Sequence, residues 1–129
     1  MTMIESAKFY TCTVCGKIVG MIHDPGVPTI CCGQPMQELI ANTTDAAQEK
    51  HVPVVARDGD TITVKVGAVS HPMLPEHYIQ WIYVRTENGG QRHAFAPGDS
   101  PDAKFYVGYD KPVEVYEFCN LHGLWKTVL

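Results

Sequence analysis

The stretch Cys119-Asn120-Leu121-His122-Gly123 sets a thiol and an imidazole three positions apart, close enough to reach one metal ion. Both are borderline-soft donors, suited to iron, copper, zinc or nickel and poorly suited to magnesium or calcium. Two donors fill only part of a coordination sphere. Upstream, His51, His71 and His77 stand in apolar surroundings and are candidates for the rest. His51 lies in Glu49-Lys50-His51-Val52-Pro53, and His71-Pro72-Met73 shares one loop with His77, where a rigid scaffold can point several side chains at one spot. A lone histidine is more often a hydrogen-bonded structural group than a ligand, and His23 and His93 are read that way.

The other four cysteines form a second set. Cys12-Thr13-Val14-Cys15-Gly16 brackets a tight turn with two thiols, the glycine supplying the positive φ such a turn needs. Cys31-Cys32-Gly33-Gln34-Pro35-Met36 adds an adjacent pair. Cys12, Cys15, Cys31 and Cys32 together make a tetrahedral sulfur site for zinc or iron. Adjacent ligands constrain the angle between their sulfurs, so the tetrahedron should be distorted relative to one built from two Cys-x-x-Cys knuckles.

These donors need elements to position them. Residues 1–40 form a first unit with short strands at 9–11 and 17–22 and a turn at Asp24-Pro25-Gly26. About forty residues cannot bury enough apolar area to fold on a core alone, so a metal is the expected staple. Residues 41–48 turn polar and read as a link. With that link included, residues 41–129 form a second unit. Strands are predicted at 52–57, 61–66, 78–86, 91–95, 103–109, 112–118 and 124–128, with turn residues at Asp58-Gly59-Asp60 and Asn88-Gly89-Gly90. About seven short strands without helical periodicity predict an antiparallel β-sandwich.

Composition narrows the function classes. The chain has 129 residues, 45% hydrophobic and 19% charged, an ordinary soluble globular balance. No stretch approaches the length of a membrane-spanning helix. The opening Met1-Thr2-Met3-Ile4-Glu5 lacks the basic segment and apolar run of a signal peptide, which predicts a cytoplasmic protein. Five cysteines in a reducing compartment read as metal-binding or redox-active rather than disulfide-bonded. A net charge of -4 argues against nucleic acid as a partner, and an anionic substrate would need a local positive site.

Taken in order, Cys12, Cys15, Cys31 and Cys32, then Glu49-Lys50-His51-Val52-Pro53, His71-Pro72-Met73 with His77, and Cys119-Asn120-Leu121-His122-Gly123 with Trp125, the chain resembles the desulfoferrodoxin family of two-iron superoxide reductases. The likeness spans essentially the whole chain and departs at no ligand position. It implies a mainly β protein, a small desulforedoxin-like metal module (1–40) followed by an immunoglobulin-like antiparallel β-sandwich (41–129). It implies two iron ions, one at Cys12, Cys15, Cys31 and Cys32, and one held by the imidazoles of His51, His71, His77 and His122 with the Cys119 thiolate as axial ligand.

The activity so implied is one-electron reduction of superoxide to hydrogen peroxide, without the dioxygen a dismutase would release. An external donor such as rubredoxin would re-reduce the iron, and the assembly would be a homodimer without nucleic acid or membrane. On composition alone Glu49 and Lys50 belong to a solvated loop. The resemblance instead makes Lys50 the point charge that draws the anion in, and Glu49 a sixth ligand once the iron is ferric. Two other classes compete, a non-enzymatic electron carrier and a zinc-stabilised interaction module. Neither needs the dispersed histidines.

Overall fold

The computed structural model describes residues 6–43 and 48–129, and of residues 48 and 49 the backbone alone. The chain divides into two compact units, Met1–Ile40 and Ala41–Leu129.

In the first unit β1 (Lys8–Thr11) pairs antiparallel with β2 (Ile18–Met21), in the register Thr11↔Ile18. A hairpin of β3 (Ile30–Cys31) and β4 (Gln34–Pro35) follows, and β5 (Gln37–Glu38) adds to the free edge of β1. The last three strands have two residues each, too short to carry a period that sequence reading can detect. Among the described residues of this unit only Phe9, Cys12 and Met36 are buried apolar side chains. Burying Phe9 and Met36 gains about 1.5–3 kcal/mol each. Ordering the backbone costs about 1–2 kcal/mol per residue, so this unit depends on something other than its core.

In the second unit one helical turn, α1 (Gln48–His51), overlaps the polar link expected at 41–48 only at Gln48; residues 44–47 of that link lie outside the described residues. Seven strands follow, β6 (Pro53–Asp58), β7 (Thr61–Val66), β8 (Ile79–Thr86), β9 (Gly90–Ala94), β10 (Asp102–Tyr106), β11 (Pro112–Cys119) and β12 (Gly123–Val128). They form two antiparallel sheets, ordered β10-β7-β6 and β12-β11-β8-β9. The period-two pattern read at 61–66 puts Ile62, Val64 and Val66 of β7 inward, where they meet Ile82 and Val84 of β8, Phe105 of β10 and Val115 of β11. This is the β-sandwich the sequence predicted. The strand expected to run to 109 stops at Tyr106, because the Val107 and Gly108 N–H groups both turn to the Asp60 carbonyl, at 2.8 and 3.0 Å.

Two local features set up the metal-binding end of the sandwich. The turn between β11 and β12 has three residues, Asn120, Leu121 and His122, and closes on Gly123 at φ +80°, the left-handed residue such a hairpin loop requires. The register of β11 on β8 shifts between Phe118 and Cys119, a bulge that re-aims the last side chain of the strand. Asn42, left-handed at φ 61°, is tied to β12 by three bonds. Its N–H donates to the Leu124 carbonyl, and its side-chain amide both accepts from the Lys126 N–H at 2.9 Å and donates to the Lys126 carbonyl at 3.2 Å.

One inward side chain breaks the apolar pattern. Glu117, between Val115 and Cys119 on β11, is fully buried, and its carboxyl oxygens have no hydrogen-bond partner among the described residues. Burial pushes its carboxyl well above the ordinary carboxylate range.

Candidate metal centres

The first centre lies at the tips of two turns. The Gly16 N–H donates to the Cys12 carbonyl at 2.9 Å, folding Cys12 to Cys15 into a knuckle. Cys32 and Gly33 are consecutive left-handed residues, φ 51° and 76°, closing the β3–β4 hairpin. A non-glycine residue there is strained by about 1–3 kcal/mol. This tight turn places the adjacent Cys31 and Cys32 thiols in one cluster with Cys12 and Cys15. Gln34 Nε2 donates to Thr13 Oγ1 at 2.6 Å and latches the two turns together. The sulfurs of Cys12, Cys15, Cys31 and Cys32 all lie within 4.8 Å of one another, unbridged, with Cys15 and Cys31 3.7 Å apart. Tetrahedral bonds of about 2.3 Å would put sulfurs about 3.8 Å apart.

The electrostatics of these thiols also suit a cation. Backbone N–H groups of Cys15 and Val14 bring the Cys12 thiol down to about 6. Hydrogen bonding to the other thiols pushes Cys31 and Cys32 up, Cys15 being the main cause for Cys31 and Cys12 for Cys32. The Cys12 thiolate forms readily, while ionisation of Cys31 and Cys32 is opposed until a positive charge sits between the sulfurs.

The second centre gathers five residues from four separate stretches. His51 ends α1, His71 and His77 lie in the loop between β7 and β8, Cys119 ends β11, and His122 is in the turn before β12. One donor atom from each lies within 4.8 Å of every other. The four imidazoles form a closed square of edge-to-face neighbours. His51 to His71, His71 to His77, His77 to His122 and His122 to His51 have centroids 4.7, 4.8, 5.0 and 4.8 Å apart and interplanar angles of 76°, 81°, 83° and 89°.

The ring nitrogens face inward. His51 Nε2 lies 3.1 Å from His71 Nε2 and 3.0 Å from His122 Nδ1. Two nitrogens at right angles on one metal, with bonds of about 2.1 Å, would be about 3 Å apart. His77 Nε2 is buried with no hydrogen-bond partner among the described residues, an orphan that a metal in the square would satisfy. The His71 tautomer is set from outside, with Nδ1 2.7 Å from the Pro72 carbonyl oxygen. Cys119 Sγ lies 3.9 Å from His122 Nδ1. The donor set and its spacing fit a soft-to-borderline metal ion.

Burial keeps the His71 and His77 rings in their ligating form. It lowers His71 to about 4, partly opposed by the Pro72 carbonyl. It also lowers His77, helped by the charges of His122 and Lys50 and opposed by Glu76. Both rings are therefore neutral at pH 7, with a lone pair for a metal. Burial raises the Cys119 thiol, while the Leu121 and His122 N–H groups aimed at the sulfur pull it back. Cys119 is fully buried and His51 and His71 nearly so, whereas His77 and His122 are half-buried and form the solvent side of the site.

The sequence-predicted donors thus come together in two groups, and His23 and His93 belong to neither; both are exposed. Lys50 is exposed on the helical turn that carries His51, and its charge reaches His77. The Glu49 side chain lies outside the described residues. Sequence reading missed the work of Asn120, Trp125 and Glu117. Period two along β11 flags Glu117 as an inward carboxylate, but nothing local flags the other two.

A tetrathiolate module and a β-sandwich carrying a square of four imidazoles with a buried thiol define a non-haem metalloprotein with two mononuclear centres. Residues 43–128 match the family model described as Desulfoferrodoxin, and residues 4–39 match that of the Desulfoferrodoxin N-terminal domain. The chain belongs to the desulfoferrodoxin family. It is 46% identical over 125 residues to a desulfoferrodoxin of Syntrophotalea carbinolica, covering 97% of this chain and 98% of that one. A desulfoferrodoxin homolog of Archaeoglobus fulgidus is also 46% identical, covering 97% and 99%. Among solved structures, the superoxide reductase of Treponema pallidum matches with a TM-score of 0.80 at 37% identity, over 95% of this chain and 99% of that one.

Proposed function

We propose that this protein is a superoxide reductase, in which residues 41–129 carry the reaction and residues 1–40 form an iron module. The observation that carries this reading is the convergence of His51, His71, His77, His122 and Cys119 within 4.8 Å. Neither an electron carrier with a single cysteine site nor a zinc-stabilised interaction module has a use for that second cluster. Ferrous iron, when bound there, supplies the one electron that, with two protons, converts superoxide to hydrogen peroxide.

The chain's own residues would do the rest. The four imidazoles of His51, His71, His77 and His122 would hold the ion together with Cys119, whose burial shields its sulfur from solvent. Lys50 offers a positive charge beside the solvent side of the site. A chain of net charge -4 otherwise repels an anion at long range. Glu49, next to Lys50 in sequence, is the carboxylate proposed as a sixth donor to the oxidised ion. Cys12, Cys15, Cys31 and Cys32 hold the other iron, which relays electrons or staples its module. A small donor of the rubredoxin kind restores the ferrous state, and the working form is a cytoplasmic homodimer. No helix among the described residues is long and apolar enough to cross a membrane.

Metal analysis of protein purified without air, followed by rapid mixing with superoxide, tests the reading. The expected result is two irons per chain and one hydrogen peroxide per superoxide consumed, with no dioxygen. Dioxygen evolution, or zinc-loaded protein without reaction, would overturn it.

A further inference from the structure

We infer that Asn120 is a positioning residue that holds His77 in the square. Asn120 follows Cys119 directly, and its side chain reaches across to the stretch carrying His77. The Tyr78 N–H donates to Asn120 Oδ1 at 2.9 Å, and Asn120 Nδ2 donates to the Glu76 carbonyl at 3.1 Å. These two partners flank His77. One planar amide, with its acceptor and its donor side by side, therefore straddles the backbone of a single imidazole. The Asn120 N–H adds a bond to the Tyr78 carbonyl at 3.2 Å.

From the other side, Leu74 pairs with His77 through both of its backbone groups, at 2.9 and 3.0 Å. Leu74 belongs to the same loop as His77 and cannot fix that loop relative to Cys119 and His122. The Asn120 side chain can, because it leaves the same three-residue turn that carries His122. His77 is the ring that needs this. It is one of the two half-buried imidazoles, and its inward Nε2 has no partner among the described residues to hold it in place. Groups that orient a metal-binding histidine commonly change metal affinity by about 10–100-fold when removed.

The inference rests on reading the five residues as an iron centre, and its test separates the two. Ferrous iron retention against a chelator is measured for the wild type, Asn120→Ala, His77→Ala and the double variant, together with the visible spectrum of the oxidised protein. Asn120→Ala should weaken retention at the histidine centre by about 10–100-fold and shift its thiolate-to-iron band. The absorption of the tetrathiolate centre should stay unchanged, as an internal control for global damage. In the His77→Ala background the same substitution should add less than about twofold, since the ring it positions is gone.

Equal effects in both backgrounds, or no effect in the wild type, would overturn the assignment. Should Asn120→Ala fail to fold, Asn120→Asp keeps the acceptor for Tyr78, loses the donor to Glu76, and carries the same cycle. A wild type that forms no peroxide while the coupling persists would defeat the reductase reading and leave the role of Asn120 standing.

Discussion

The Trp125 ring lies against the His51 imidazole, centroids 5.0 Å apart and planes 22° from parallel, while its Nε1–H donates to the His122 carbonyl at 3.1 Å. One fully buried side chain thus braces two donors that are 71 residues apart in sequence. We expect Trp125→Ala to destabilise the sandwich by about 3–5 kcal/mol through the cavity it leaves. Trp125→Phe, which keeps a ring but gives up the hydrogen bond, should cost about 0.5–1.5 kcal/mol. Urea unfolding of the metal-free proteins checks this, and equal midpoints for the two variants would contradict it.

Cys119→Ser keeps the size of the side chain and removes the soft, electron-releasing donor. The thiolate-to-iron absorption of the oxidised protein should vanish, and peroxide formation should fall to the background rate, even where the four imidazoles still retain iron. Unaltered turnover would take the thiolate out of the mechanism.

Lys50→Ala tests attraction of the substrate apart from chemistry at the metal. Electrostatic steering raises association rates by roughly ten- to a thousandfold and weakens as salt screens it. The bimolecular rate with superoxide should drop about tenfold and lose much of its salt dependence, with iron content and spectrum near wild type. Glu49→Ala is the control, expected to leave capture equal or faster while altering the oxidised spectrum. Pulse-generated superoxide at several ionic strengths reads both; an unchanged salt slope in Lys50→Ala would return that lysine to the solvated surface.

Cys31→Ser should abolish the tetrathiolate iron and leave the first unit open to proteolysis, since Phe9, Cys12 and Met36 are too little core to hold it. Pre-reduced protein should still consume superoxide at nearly the wild-type rate, because all five residues of the second cluster lie on the sandwich. Loss of that reaction with the second iron still bound would show that the units are not separable.

Glu117→Leu removes a buried carboxyl that has no hydrogen-bond partner among the described residues and substitutes an apolar side chain of similar length. Leaving a polar group buried and unpaired costs about 1–3 kcal/mol. The variant should gain stability of that order in urea unfolding, and a loss would mean that the carboxyl has a partner in solution.

The sequence by itself determined what is local. Thiol and imidazole types select the metal class, the Cys12–Cys15 spacing makes a knuckle, Gly59 and Gly123 place turns, and period two along β7 makes one face of a sheet. Helical α1 and the two-residue strands escaped it, because elements that short carry no period. Tertiary structure alone decided how the donors meet. Whether four imidazoles form a square or merely share a surface depends on the pairing of β8 with β11, on the bulge before Cys119, and on the contacts of Asn120 and Trp125 across loops. Each of these is a non-local choice, fixed when two sheets bury their inner faces together, and no window of neighbouring residues contains it.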